Sequence, residues 1–142
     1  MRERTTRDFV GAIVGNVVAV AFVNTVPLWS RLTVGVITDR WVDILWAANL
    51  SLLVQVVGNF LLLYYRPPRF QAFMRAAFSA VEIVSLAVFY AVFPFDFSRL
   101  VGEWMNTFMR VLLVVAMVAS LAAGAVQLVR FLTGGWGAEK RE

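Results

Sequence analysis

Apolar residues run in four long stretches along the chain, separated by short segments that carry most of the charged residues. A helix that crosses a membrane needs about 20 mostly apolar residues, because each residue rises about 1.5 Å and the hydrocarbon layer is about 30 Å thick. The stretches therefore predict four transmembrane helices, over residues 9–29, 44–65, 76–93 and 104–132. Short connections make successive helices antiparallel neighbours. The expected fold class is all-α, an integral membrane antiparallel four-helix bundle forming one domain over residues 1–142.

The connecting segments carry their own indications. Arg66-Pro67-Pro68-Arg69 predicts a tight basic turn, and Pro94 ends the third helix, because proline cannot continue a helix. The loop at 30–40 contains enough apolar residues to rest on the headgroup layer, although an ordinary ordered loop explains it equally well. The glycine-rich segment at 134–137 predicts a helix stop before a short charged tail.

Composition supports membrane insertion and excludes several kinds of chemistry. Sixty-one per cent of the residues are hydrophobic and 15% are charged, whereas a soluble domain carries about 45–50% and about 25%. The chain has no cysteine and no histidine, which excludes thiolate and imidazole metal sites and Ser-His or Cys-His catalytic pairs. The sequence also contains no glycine-rich phosphate loop or pair of catalytic carboxylates. We therefore expect no metal, no cofactor and no enzymatic activity.

The basic residues predict the orientation in the membrane. Nine of the 13 lie on one side of the predicted bundle, namely Arg2, Arg4, Arg7, Arg66, Arg69, Arg75, Arg130, Lys140 and Arg141. The other four are Arg31, Arg40, Arg99 and Arg110. Lysine and arginine are enriched on the cytoplasmic side of membrane helices. This distribution predicts a multi-pass protein of the plasma or inner membrane with both termini cytoplasmic, and a lipid bilayer rather than nucleic acid as its partner.

Polar and small residues recur along one face of each predicted helix. The second helix has Ala48, Ser51, Gln55 and Asn59, spaced by three or four residues, and the fourth includes Ser120, Gly124 and Gln127. Such faces turn away from lipid, towards other helices or another subunit. Glycine and serine allow close helix approach, so the predicted packing positions are Gly11, Gly15, Gly58, Ser120 and Gly124.

Glu82 is the candidate centre of an intramembrane polar site, because it is the only acidic residue well inside a predicted helix. Counting from the cytoplasmic boundaries places Asn16, Asn59 and Glu82 at one depth, about 8–9 Å into the hydrocarbon. With Gln55, these groups predict either a proton or cation site or a satisfied polar cluster that fixes helix packing. The further partners expected for Glu82 are Arg75, Ser79, Ser85 and Gln127.

A second, outer polar layer is predicted from Arg110, Asn24 and Asn49, which fall at similar depth near the opposite membrane surface. The alternative for Arg110 is that its long side chain extends to the headgroups. Two functions fit these patterns. The first is a non-enzymatic packing, assembly or regulatory subunit, in a homo-oligomer or with other membrane subunits. The second is a channel or proton-coupled transporter for a small solute, with Glu82 as the switchable charge.

Overall fold

The structure is a computed structural model that describes residues 5–29 and 35–133. Within these ranges it contains four helices: α1 (Thr6–Trp29), α2 (Trp41–Tyr64), α3 (Pro68–Val92) and α4 (Glu103–Leu132). Each is long and apolar enough to cross a membrane, so the all-α fold with four candidate membrane helices is confirmed. The basic residues at 2–4, the loop residues 30–34 and the predicted helix stop with its tail at 134–142 lie outside the described residues.

All four helices begin earlier than the hydropathy pattern predicts, and the shift is largest for α3. At the start of α1, the backbone N–H and the hydroxyl of Thr5 both donate to the carboxylate of Asp8, at 2.7 and 3.1 Å. The Asp8 backbone N–H donates in turn to the Thr5 backbone carbonyl at 3.0 Å. These bonds fix the first turn, and α1 begins at residue 6 rather than 9. α3 begins at Pro68 rather than at residue 76, because a proline in the first helical turn loses no hydrogen bond and its fixed φ suits the helix.

The remaining ends follow local backbone geometry. α2 begins at Trp41 rather than at residue 44 and ends one residue before the extended Tyr65. α3 stops where Phe93 adopts a left-handed conformation, with φ of 41°, immediately before Pro94. Gly102, with φ of 106°, precedes α4, and a positive φ of this kind is one that glycine adopts without steric cost.

The helices form an open row in chain order. Within the described residues, the pairs of helices that approach each other are α1 with α2, α2 with α3, and α3 with α4. Side-chain contacts at opposite ends, Thr6 with Arg66 and Asn24 with Asn49, show that α1 and α2 run antiparallel. α2 is therefore an inner helix, whereas α1 and α4 form the two edges of the row.

Two apolar clusters pack against α2, one at each of its ends. Near the end that carries Arg66, Phe9 of α1 packs with Leu62 of α2 and Met74 of α3. The Arg66 guanidinium stacks over the Phe9 ring at 5.3 Å and donates to the Thr6 hydroxyl at 2.9 Å. At the opposite end, a larger cluster is built around Val26, Trp41 and Ile44. These clusters join three helices that otherwise make only pairwise contacts.

Candidate intramembrane polar site

The polar stripe of α2 is buried and largely satisfied within its own helix. Ser51 and Asn59 are only 7% and 3% exposed. The amide of Gln55 donates to the Ser51 hydroxyl at 3.4 Å, and the amide of Asn59 donates to the backbone carbonyl of Gln55 at 2.7 Å. The side-chain oxygen of Asn59 is buried without a hydrogen-bond partner in the described chain. The stripe therefore faces inward, as its spacing indicates, and retains one unused acceptor.

Asn16 does not join this stripe through a hydrogen bond. Its side chain is half-buried on α1, and the contacts of Thr6 with Arg66 and of Asn24 with Asn49 set the relative height of α1 and α2. Interpolation between these contacts places Asn16 opposite residues 56–57, only two to three residues or ~4 Å along the axis from Asn59. None of the hydrogen bonds among the described residues links the two asparagines. The two asparagines therefore lie at similar heights on neighbouring helices, without a hydrogen bond between them.

Glu82 also lies apart from the amides, because α2 and α3 are staggered. Three contacts fix their relative height: Gly58 with Phe78, Leu62 with Met74, and Trp41 with Phe89. Interpolation between the first and third contacts places Glu82 level with residue 52, about seven residues or ~11 Å along the axis from Asn59. The expected shared layer was counted from residue 76 as the helix start, whereas Glu82 lies near the middle of a helix that begins at Pro68, so the structure places Glu82 and Asn59 at different heights.

The carboxylate of Glu82 is on the exposed surface of α3. On a helical wheel it lies about 40° from Phe78, which contacts α2, and about 60° from Ser79, which contacts α4. Glu82 therefore projects between the two neighbouring helices, on one broad face of the row. No described helix covers Glu82 on this face, so of the two expected environments, other helices of the chain or another subunit, the described residues do not supply the first.

The side chains that were expected to surround Glu82 do not gather around it. Ser79 is buried against α4, while Ser85 and Gln127 are half-buried. None of these three side chains hydrogen-bonds to Glu82 within the described residues. Arg75 is half-buried and makes its own interactions; it is seven residues from Glu82, about 20° away on the same helix face. The polar residues of α3 therefore divide between an interface and an open face.

The predicted outer layer consists of two separate sites. Asn24 and Asn49 form a reciprocal amide pair between α1 and α2, with hydrogen bonds of 2.7 and 3.0 Å. Arg110 lies on α4, and its guanidinium stacks over the rings of Phe93 and Tyr90 at 4.3 and 5.5 Å. The two sites do not touch, because α4 approaches only α3 among the described helices. The aromatic rings hold the Arg110 charge instead.

The small residues divide into close contacts and open surface. A Cβ on Gly58 would overlap the Phe78 ring and the Met74 methyl group, and a Cβ on Gly124 would lie 3.0 Å from the Cβ of Ser79. Ser120, nine per cent exposed, lies on the same helix as Gly124. By contrast, a Cβ on Gly11 or on Gly15 would meet no atom within 4 Å. Gly58, Ser120 and Gly124 therefore lie where helices of this chain pack together, whereas Gly11 and Gly15 lie on the open surface of α1.

A hydrogen-bonded cap, which the sequence does not predict, closes the end of the row opposite Arg66. The segment 35–40 pairs with the loop after α3 through an isolated antiparallel bridge between Ile37 and Phe95. The flanking hydrogen bonds run from Thr38 N–H to the Pro94 carbonyl at 2.9 Å and from Asp96 N–H to the Val36 carbonyl at 2.8 Å. Residues 35–40 are thus an ordered loop. No periodic pattern predicts such a pairing between two loops.

Asp96 organises the turn that follows this bridge. Its carboxylate accepts hydrogen bonds from the Ser98 hydroxyl at 2.6 Å and from the Ser98 backbone N–H at 3.0 Å. These bonds hold the pKa of Asp96 below its ordinary value. The ionised carboxylate therefore stabilises the turn above the ordinary carboxyl pKa, and this stabilisation is lost as the pH falls through the lowered pKa.

Comparison with protein-family models, with curated proteins and with solved structures finds no match to this chain.

Proposed function

We propose that the chain is a multi-pass membrane protein with both termini on the cytoplasmic side. Helices of 24 to 30 residues extend about 36–45 Å, enough to cross about 30 Å of hydrocarbon. The large exposed apolar surface, which includes Phe22, Leu53 and Val118, suits contact with lipid. The orientation is supported by the nine basic residues on one side against four on the other.

The orientation is tested with a reporter enzyme that is active only in the cytoplasm, fused after Glu142. We expect high activity, because the second loop and the carboxyl terminus are the basic segments. The same reporter inserted after Ser98, in the opposite loop, is the matched control and should be inactive. Activity of the Ser98 insertion without activity of the carboxyl-terminal fusion would reverse the proposed orientation.

We further propose that the protein is a non-enzymatic subunit that assembles with other membrane helices, through the face of α3 that carries Glu82. The observation that supports this proposal is the exposed carboxyl group near the middle of α3. A carboxyl group facing hydrocarbon is costly, and intramembrane polar groups are therefore usually covered by protein. A neighbouring helix that presents an amide, hydroxyl or cationic donor at this depth would remove that cost.

Replacing Glu82 should weaken this assembly. Interhelical polar contacts in membranes contribute about 0.6–2 kcal/mol, so Glu82→Leu should weaken association about threefold to thirtyfold. Glu82→Gln should retain most of it, because the amide still donates and accepts hydrogen bonds. Val84→Ala is the control, since Val84 is exposed about 160° around the helix from Glu82. The measurement is the size of the complex extracted in mild detergent, on native gels and by chemical cross-linking.

Unchanged complexes in Glu82→Leu, or equal losses in Glu82→Leu and Val84→Ala, would contradict assembly at this face. The competing function, a channel or proton-coupled transporter, makes a different prediction for the same residue. Purified protein in liposomes would then conduct ions or protons, and Glu82→Gln would abolish the flux. The separation of Glu82 from Asn16 and Asn59 described above favours assembly over a transport site built from these three groups.

A further inference from the structure

The face of the row opposite Glu82 contains an apolar groove between α3 and α4, with a volume of about 500 Å³. Small side chains form its floor and larger ones its walls. The residues that matter here are Phe73, Ala77 and Ala80 of α3 and Leu121, Ala125 and Phe131 of α4. The Phe73 and Phe131 rings, with centroids 5.7 Å apart, mark the end of the groove nearest the basic segments. The groove therefore opens along the helices, within the span that lipid chains would surround.

A positive charge lies where this groove reaches its basic end. Arg69 precedes Phe73 by one helical turn, and positions 69, 73, 76 and 80 follow one face of α3. Arg69 is exposed, and none of the hydrogen bonds among the described residues involves its guanidinium. The α3 side of the groove thus begins at the Arg69 guanidinium and continues as an apolar surface.

The surrounding charges have the same sign. Among the described residues, this end of the row also carries Arg7, Arg66, Arg75 and Arg130. The acidic residue of this end in the described chain is Asp8, which already accepts two hydrogen bonds from Thr5. A ligand for this site should therefore combine an anionic head with a long apolar tail. Anionic phospholipids have that chemistry, and they bind basic pockets between helices on the cytoplasmic side.

We propose that the α3–α4 groove binds one acyl chain of an anionic phospholipid, whose phosphate group contacts Arg69. The acyl chain gains dispersion contacts along the groove, where the packing of α3 against α4 leaves a gap. The phosphate gains a charge-assisted hydrogen bond from the guanidinium. This proposal requires membrane insertion but not assembly at Glu82, since Glu82 lies on the other face of α3.

The test uses the purified full-length protein, stripped of lipid and incubated with phosphatidylglycerol or phosphatidylcholine of identical acyl chains. Native mass spectrometry then counts the lipids that remain bound. One juxtamembrane arginine should favour the anionic lipid about fivefold. Arg69→Gln should reduce this preference to near equality, whereas Arg99→Gln, in the opposite loop, should leave it unchanged. A preference that survives in Arg69→Gln would overturn the headgroup contact.

Filling the groove tests the acyl-chain contact separately. Ala80→Phe should reduce retention of both lipids about equally, while Ala122→Phe, at an exposed position of α4 outside the groove, should not. Unchanged retention in Ala80→Phe would overturn the groove as the binding site. Circular dichroism melting of both variants shows whether they fold.

A third measurement leaves the groove open. Because the chain has no cysteine, Ala80→Cys provides a single attachment site for a fluorophore. Brominated phosphatidylglycerol should quench this label more strongly than brominated phosphatidylcholine does. Equal quenching, or a disulfide between two Ala80→Cys copies formed in the membrane, would mean that bulk lipid or a second copy fills the groove, and either result would overturn the proposal.

Discussion

Gly58→Ala should lower the free energy of unfolding by about 1–3 kcal/mol relative to Gly15→Ala, which is the range measured when a methyl group is forced into a packed interior. At Gly58 the new Cβ would overlap the Phe78 ring and the Met74 methyl group, so α2 and α3 must separate or these side chains must move. At Gly15 the new Cβ would meet no atom within 4 Å. The two substitutions make the same chemical change in different surroundings.

This comparison isolates packing from backbone effects. Replacing glycine by alanine inside a helix favours the helix by about 1 kcal/mol, and this gain is common to both variants. Between membrane helices there is no hydrophobic driving force comparable to that in water, so close packing contributes much of the association. The cost at Gly58 should therefore appear almost undiminished in the difference between the variants.

The measurement is reversible unfolding in mixed micelles, followed by far-ultraviolet circular dichroism. Gly124→Ala should fall between the other two variants, because its Cβ would lie 3.0 Å from the Cβ of Ser79. Equal stabilities of Gly58→Ala and Gly15→Ala would mean that α2 and α3 do not approach as closely as the structure shows.

The periodic features of the fold are the ones that sequence predicts best. The spacing of Ser51, Gln55 and Asn59 predicts one polar face on the second helix, and two of these residues are among the most buried polar groups described. The apolar stretches predict all four helices because a membrane span depends on length and hydropathy alone. Each of these inferences uses information that lies within a single helix.

The candidate site was harder to predict because it depends on the relative heights of different helices. Counting inward from residue 76 placed Glu82 with the asparagines, but Pro68 starts α3 two turns earlier. Because a helix rises ~1.5 Å per residue, eight additional residues extend α3 by ~12 Å at its start. Pro68 belongs to the predicted turn after the second helix. Proline is also favoured in the first turn of a helix, so the same residue indicates where the third helix begins.

Contacts between loops and helix ends are even harder to predict from the sequence. Arg66 was assigned to a basic turn, yet its guanidinium stacks on Phe9 and donates to Thr6, about 60 residues earlier in the chain. The bridge between Ile37 and Phe95 likewise joins two loops, and no pattern in the sequence indicates that they pair. Such contacts arise from tertiary proximity, which hydropathy and spacing do not encode.

Trp41→Ala should be among the most destabilising substitutions, with a loss of about 3–5 kcal/mol. Trp41 is only 8% exposed, and its ring packs edge-on against Phe89 and Phe95 with centroids 6.0 and 5.8 Å apart. Its indole N–H donates to the Val23 carbonyl at 3.1 Å. One side chain therefore joins α1, α2, α3 and the loop after α3, so its removal leaves a cavity where all four meet.

Trp46→Ala is the matched control, because Trp46 lies on the same helix but is 57% exposed, and it should change stability by less than about 0.5 kcal/mol. Trp41→Phe separates the two contributions of the indole, since it keeps an aromatic ring but loses the N–H donor. Its expected cost is about 1–3 kcal/mol, the penalty for an unpaired buried acceptor. Equal unfolding curves for Trp41→Ala and Trp46→Ala would show that the cap formed by the bridge between Ile37 and Phe95 does not hold the helices together. A large loss confined to Trp41 would show instead that loop contacts, which hydropathy does not reveal, close this end of the open row.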